Sequence, residues 1–461
     1  MDAKHIAELV KRQRAFFESR LTFDVTYRVQ ALERLRRSVI EHEGDICDAL
    51  KKDLGKSASE SYIGELGLSR DEIRHQIAHV RGWSKPRTVP THLANFAAKS
   101  FTVQEPYGIV LIMAPWNYPF LLTLEPLAGA LAAGNCVVLK PSAYAPASSA
   151  VLRDIVEECF DPNYVAIVEG GRAENTALLE TEFDRIFFTG SVGVGKLVME
   201  KAAAHLTPVS LELGGKSPAV VDAKCNLRVS ASRIAFGKYL NLGQTCVAPD
   251  YALVDRRIHD RFVEALNSEI TAMYGANAFA NPDYGRIVNR KHYDRIMGLI
   301  DASRDKVVRG GTGNPDTLQI EPTVMDGVTP DDPIMGEEIF GPVLPILAYD
   351  GFDEAEAFVR ERPKPLAGYL FTEDRALQER WLAYTSFGGG CINDTIVHLA
   401  TPEMGFGGVG ASGMGSYHGK KSFETFSHEK SIMKKYTWID MPMRNQPYRP
   451  LNIKIIRMLL H

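Results

Sequence analysis

At 461 residues the chain is too long for one simple core, and two or three domains are expected. With 45% hydrophobic and 24% charged residues it has the make-up of a soluble globular protein, and a formal net charge of −4 argues against nucleic acid as the main partner. The six cysteines (Cys47, Cys136, Cys159, Cys225, Cys246, Cys391) include no C-x-x-C pair, so a reducing compartment is expected, with neither a disulfide framework nor a zinc site.

Residues 1–20 are charged throughout and read as an amphipathic helix, not a signal peptide. No run approaches the ~20 apolar residues of a membrane span. The apolar tail, residues 451–460, is too short and is interrupted by two cations, so a cytoplasmic location is the default. Up to about residue 83 the patterns are helical, with Val29, Leu32, Leu35 and Val39 at helical spacing. Residues 85–92 hold two prolines and read as a linker, and residues 101–104 as a short strand.

The chain then changes character. Residues 108–113 form a continuous apolar run, as expected for a strand buried on both faces. Helices are expected over 119–133, 147–159 and from about Gly195, and strands over 135–140, 164–168 and 185–189. This alternation predicts a parallel sheet, whose ligands lie beyond the carboxyl ends of the strands. Three polar clusters fall at such ends: Trp116-Asn117, Lys140-Pro-Ser142 and Gly190-Ser191. A second α/β block is expected from about Glu212, with strands at 219–222, 251–254 and 342–347. The glycine-dense stretches 388–390 and 405–419 are expected as loops passing close to other backbone.

Several residues are candidates for chemistry. Cys246, in Asn241-Leu-Gly-Gln-Thr-Cys-Val-Ala-Pro249, suits a thiol held on a turn, though a lone cysteine is also an ordinary buried hydrophobe. Glu212 lies between two leucines and before two glycines, where burial raises a carboxyl pKa towards general-base range or a structural ion pair forms. Asn117 offers side-chain N–H groups for an oxyanion, or simply a turn. Lys140 suits a ribose or phosphate, or solvent, and Glu338 reads by itself as surface charge. Gly190-Ser-Val-Gly-Val-Gly-Lys196 departs from the G-x-G-x-x-G spacing, and Leu197 stands where a phosphate loop needs Ser or Thr. The twelve histidines form no H-E-x-x-H cluster, so no metal is expected.

Taken together and in order, these signals resemble the aldehyde dehydrogenase superfamily. The match runs from about Gly108 to His428 through Pro115-Trp-Asn-Tyr-Pro119, Leu139-Lys-Pro-Ser142, Phe188-Thr-Gly-Ser191, Leu211-Glu-Leu-Gly-Gly-Lys216, Gly243-Gln-Thr-Cys246 and Glu338-Ile-Phe-Gly-Pro342. Ser416-Tyr-His-Gly-Lys-Lys-Ser-Phe-Glu-Thr-Phe-Ser-His428 is similar to the class 3 and fatty-aldehyde branch. The resemblance implies an α/β fold: a Rossmann-like dinucleotide-binding domain (1–92 and 106–211), an α/β catalytic domain (212–420) and a small β bridging element with the tail (93–105 and 421–461). It implies NAD(P)-dependent oxidation of an aldehyde through a cysteine thiohemiacetal and thioester, with Cys246 as nucleophile, Glu212 as base and Asn117, with the Cys246 N–H, as oxyanion hole. Lys140, Trp116, Ser142, Gly190, Ser191, Leu213, Gly214, Glu338 and Phe340 would hold NAD or NADP, and Tyr118 and His418 would line the substrate pocket. The expected partners are an aliphatic or aromatic aldehyde and a second copy of the chain.

The branch commonly has glutamate where Ala143 stands and proline where Gly405 stands, and the membrane anchor of fatty-aldehyde relatives is not expected here. An acylating relative that uses coenzyme A is disfavoured by Glu212, because that chemistry must exclude water. A non-catalytic structural relative is disfavoured by joint retention of Cys246, Glu212, Asn117 and Glu338, and a phosphate-loop hydrolase by Leu197.

Overall fold

The structure is a computed structural model that describes residues 2–460. Met1 and His461, the outer ends of the expected N-terminal helix and tail, lie outside the described residues. Two main sheets organise the chain. The first has six strands in the spatial order Gly413–Met414, Val209–Leu213, Arg185–Gly190, Ile109–Met113, Cys136–Lys140, Val165–Ile167, all parallel except the first. Its strands Ile109–Met113 and Cys136–Lys140 are buried at every residue, which is why they read as near-unbroken apolar runs. The helices Leu121–Ala133 and Pro146–Cys159 are crossovers between its strands, and helices Val25–Glu41 and Gly67–Trp83 pack beside them. Val29, Leu32, Leu35 and Val39 face that core and are 0–8% exposed.

The second sheet takes up the chain at Pro218. It has seven strands in the order Val307–Arg309, Thr323–Met325, Val343–Tyr349, Tyr251–Asp255, Pro218–Val221, Ala367–Phe371, Gly389–Ile392, with only the first antiparallel. The strand carrying Glu212 belongs to the first sheet, so the change of sheet comes six residues later than expected. It falls after the Gly214-Gly215 break, where the backbone leaves one sheet for the other.

A third, small sheet joins the strands Arg87–Val89, Ala98–Pro106 and Ser427–Lys435. The stretch expected as a linker thus contains an edge strand, the β-branched Thr88 and Val89 sitting between Pro86 and Pro90. The strand expected over 101–104 is nine residues long and pairs along its whole length with Ser427–Lys435.

Two glycine expectations also change. The helix expected from about Gly195 begins at Val192, and Gly193 and Gly195 lie inside it. Gly195 is needed for packing, because a Cβ there would meet Leu213 Cδ2 at 2.6 Å. Gly389–Ile392 is a strand, not a loop; a Cβ on Gly390 would come 2.0 Å from Gly368 O on the neighbouring strand. Among the described residues no helix is long and apolar enough to cross a membrane.

Candidate active site

Parallel register brings four strand ends of the first sheet to one edge. Met113 pairs with Lys140 and with Phe188, and Thr189 pairs with Glu212. The polar groups beyond those ends therefore share a rim, as expected for an open parallel sheet.

Cys246 reaches the rim from the second block. After helix Leu227–Tyr239 the chain reverses through Asn241, Leu242 and Gly243, with φ of 51°, 51° and 70°. Non-glycine residues in the left-handed region carry strain, which persists only where the surroundings over-determine it. Here Gln244 does much of the fixing: it donates to Asn241 O (3.0 Å) and Arg286 O (3.1 Å) and accepts from Val288 N (3.0 Å). Tyr369 Oη donates to Val247 O at 2.6 Å. The thiol is left half-buried, with the N–H groups of Cys246 and Val247 directed at it. Burial pushes it up to about 12, the facing Glu338 and Glu212 carboxyls add to the rise, and the two N–H groups oppose it. At neutral pH the resting group is a thiol, so a nucleophilic role requires a base.

Glu212 is 3% exposed, and among the described residues neither of its carboxyl oxygens has a hydrogen-bond partner. Burial alone holds its pKa well above the ordinary carboxylate range. On its far side Gly413 covers the strand: its φ is 137°, and a Cβ there would lie 2.0 Å from Leu211 O.

Asn117 is buried, and its Nδ2 donates to Gln244 O at 2.9 Å, two residues before the cysteine. That nitrogen carries a second N–H. Tyr118 hydrogen-bonds Thr245 Oγ1 at 2.7 Å.

Cys246 opens into a cavity of about 750 Å³, counting its open mouth, which Tyr118 and His418 also border. Apart from Thr245 and Tyr417 its other walls are apolar, among them Leu68, Leu121, Leu122, Phe236, Val397 and Phe406. His418 has φ 77°, stacks on Phe406 with centroids 5.4 Å apart, and places Nε2 3.1 Å from Glu125 Oε2. Burial opposes its charge, but Glu125 and Glu72 outweigh burial and raise its pKa.

The remaining candidates do not line that cavity. Lys140, expected to be solvated if it had no role, is 4% exposed, and its Nζ donates to Pro141 O at 2.7 Å. Burial lowers its pKa to about 8, against the pull of Glu174 and Glu169. Glu338 lies half-buried on the Gly214-Gly215 backbone; a Cβ on Gly214 would be 2.1 Å from its Oε2. Burial and Asp250 raise its pKa to about 8, while the Gly215 N–H, Lys216 and Arg295 hold it down. Phe340, with φ 49°, meets Trp116 edge-on at 5.4 Å. Ser191 caps helix Val192–Ala203, accepting from Val194 N, so Gly190 and Ser191 sit at its positive N-terminal end. Ser142 Oγ accepts from Tyr144 N at 3.2 Å, and Leu213 packs under Gly195. An ammonium with one backbone acceptor, a carboxyl laid on glycine backbone and a helix N-terminus form a donor set that fits the ribose hydroxyls and pyrophosphate of a dinucleotide.

Sequence patterns pass over three contributors. His292 stacks on Trp116 (5.3 Å) and meets Tyr144 edge-on (6.1 Å); burial, Arg295 and Lys291 lower its pKa to about 4, so it is a neutral aromatic wall. Lys56 and Glu65 form a wholly buried ion pair beneath Asn117. None of the three sits in a recognisable motif; only the fold brings them here.

Residues 1–432 match the family model described as "Aldehyde dehydrogenase family". The chain is 48% identical over 436 residues to the 4,4'-diaponeurosporen-aldehyde dehydrogenase of Staphylococcus aureus, covering 95% of each. It is 45% identical over 430 residues to "Aldehyde dehydrogenase, dimeric NADP-preferring" of Rattus norvegicus, covering 93% of this chain and 94% of that one. A solved structure titled "Substrate bound state of Staphylococcus Aureus AldH" superposes with a TM-score of 0.97 at 46% identity, covering 99% of both chains.

Proposed function

This chain belongs to the aldehyde dehydrogenase family, and from that premise we propose that it oxidises aldehydes to carboxylic acids with NAD or NADP, using Cys246 as nucleophile, Glu212 as general base and Asn117 as oxyanion donor. One observation carries the assignment: a buried carboxyl with no hydrogen-bond partner among the described residues, Glu212, stands close enough to Cys246 to raise the pKa of its thiol.

Cys246 Sγ attacks the aldehyde carbon once its thiol proton has passed to solvent water. The oxygen that gains charge is held by the free N–H of Asn117 Nδ2 and by the Cys246 N–H. The chemistry that the nicotinamide supplies when bound is a two-electron acceptor for the hydrogen on that carbon. Lys140 and Glu338 would hold the ribose hydroxyls and the helix end at Ser191 the pyrophosphate, with the paired rings of Phe340 and Trp116 beside them. Once the thioester exists, Glu212 takes a proton from water, whose oxygen attacks the acyl carbon while the thiolate leaves. Because burial raises the pKa of Glu212, the fraction that is ionised and able to act as base grows with pH.

The apolar cavity favours aldehydes with aliphatic chains or aromatic rings. Ala143 is exposed beside the Lys140 turn, with no acid at that position to repel a 2′-phosphate, which supports use of NADP at least comparably with NAD. The name of the rat relative, dimeric and NADP-preferring, points the same way and supports a homodimer here. The bridging role belongs to the small sheet, and the location is cytoplasmic. Cys246→Ala tests the mechanism: it is expected to abolish turnover while leaving cofactor affinity nearly unchanged. Substantial residual dehydrogenase activity in that variant refutes it.

A further inference from the structure

Besides the cavity wall, the N-terminal helical region contributes a buried ion pair to the reacting end of the molecule. Lys56 and Glu65 are 0% exposed and paired at 2.6 Å. The Lys56 ammonium has three donor directions, and all are used: Glu65 Oε1, the Asn117 main-chain oxygen at 2.9 Å, and the face of the Tyr118 ring, 4.0 Å from its centroid. Glu65 Oε2 accepts from Phe120 N (2.8 Å) and Leu121 N (3.2 Å) at the start of helix Leu121–Ala133. Every polar bond of the pair beyond their own thus goes to residues 117–121.

The Asn117 oxygen has a second donor, Asn241 Nδ2 at 2.9 Å, and Asn241 N in turn donates to Glu60 Oε1 at 2.7 Å. One carbonyl therefore ties together the N-terminal helices, the strand end of the first sheet and the strained turn that delivers Cys246. The carboxamide of the same asparagine reaches Gln244 O from the other side.

A buried ion pair is weak evidence for stability, since apolar side chains of the same volume serve as well or better. What such a pair supplies is fixed geometry. Oxyanion donors act in proportion to how well they are held before the charge forms, and a 1 Å misplacement costs on the order of a hundredfold.

We propose that Lys56 is a positioning residue for aldehyde oxidation: with Asn241 as the opposing jaw, it clamps the Asn117 carbonyl and so sets the carboxamide of that residue towards the oxygen of the substrate. The proposal rests on Asn117 being the oxyanion donor. Its test is a double-mutant cycle between Lys56→Met/Glu65→Gln, which removes both charges at similar volume, and Asn117→Ala. The readouts are kcat, the aldehyde KM, cofactor Kd by fluorescence titration, and Tm.

The pair variant is expected to lose about 10- to 100-fold in kcat, with KM and cofactor Kd within about twofold of the parent. In the Asn117→Ala background the same change is expected to cost no more than about twofold, because the group it positions is gone. A folded pair variant with parental kcat overturns the proposal, as does a loss that persists in full in the Asn117→Ala background. Parental kcat in Asn117→Ala alone overturns the oxyanion reading itself, and that result is legible without any change at Lys56. Should the pair variant not fold, Asn241→Gly decides: it removes the other jaw, tolerates the left-handed φ and leaves the core charges alone. Its kcat is expected to fall in the parent and not in the Asn117→Ala background, and equal loss in both overturns the clamp.

Discussion

Glu212→Gln is expected to make the protein more stable and the enzyme slower. The carboxyl is buried, its oxygens have no partner among the described residues, and burial holds its pKa well above the ordinary value of 4.5. The sign follows from which state keeps the proton. Above pH about 4.5 the unfolded chain ionises at this position while the folded chain does not, so the parent loses stability as pH rises towards the raised folded value. Glutamine has no proton to lose, and the advantage of the variant therefore grows with pH. One group contributes at most about 1.4 kcal/mol per pH unit, or about 2.7 kcal/mol between pH 5 and pH 7. With about 2.1 cal/mol/K of unfolding entropy per residue over 461 residues, each kcal/mol moves Tm by about 1 °C, which gives a gap of up to about 3 °C. Scanning calorimetry of both proteins at pH 5, 6 and 7, at one scan rate, reads this directly. Loss of a general base costs about 10²- to 10⁴-fold, and stopped-flow absorbance should show one equivalent of reduced cofactor per site followed by that slow phase. A Tm difference that does not change with pH, or a variant less stable throughout, refutes the buried-acid argument. Loss of the burst, with both phases slowed together, shows that Glu212 acts before the thioester forms.

Ala143→Glu is expected to move the ratio of kcat/KM for NAD over NADP by about tenfold towards NAD, from one added charge at about 5 Å in a partly solvated site. Glu169 and Glu174 already act on Lys140, so a ratio that does not move would assign the choice to them. Light scattering at micromolar concentration is expected to give a dimer, and a monomeric mass contradicts the bridging role of the small sheet.

The first sheet was legible in the sequence because strands such as Cys136–Lys140 are buried on both faces, which leaves an unbroken apolar run that ends on a polar residue, Lys140, where the strand meets the rim. Glu212 stood out as a carboxyl between two leucines, whereas Cys246 and Lys140 read by themselves as ordinary residues and became candidates through the family resemblance. Gly193 and Gly195 misled because two glycines at a helix start read as loop; inside the helix Gly195 is required by the close approach of Leu213, while Gly193 has open space around it. The strand Gly389–Ile392 was hidden for a related reason, Gly390 being required by the close approach of Gly368 O on the adjacent strand. Lys56, Glu65 and His292 were out of reach altogether: their partners at Asn117, Phe120 and Trp116 lie far along the chain, and no local pattern encodes a partner at that distance.

The pairing of Ala98–Pro106 with Ser427–Lys435 sets an order of events during synthesis. The two strands are more than three hundred residues apart, so the ribosome exposes the first long before the second exists. Through that interval Ala98–Pro106 has only the three-residue partner Arg87–Val89 on one side, and the other row of its peptide groups is open to any passing chain. Closing the ladder is also a late and entropically expensive step, because it joins the ends of a very long loop. A chain interrupted before Ser427 would retain both main sheets in sequence yet carry a nine-residue adhesive edge, so incomplete chains should self-associate where full-length chains do not.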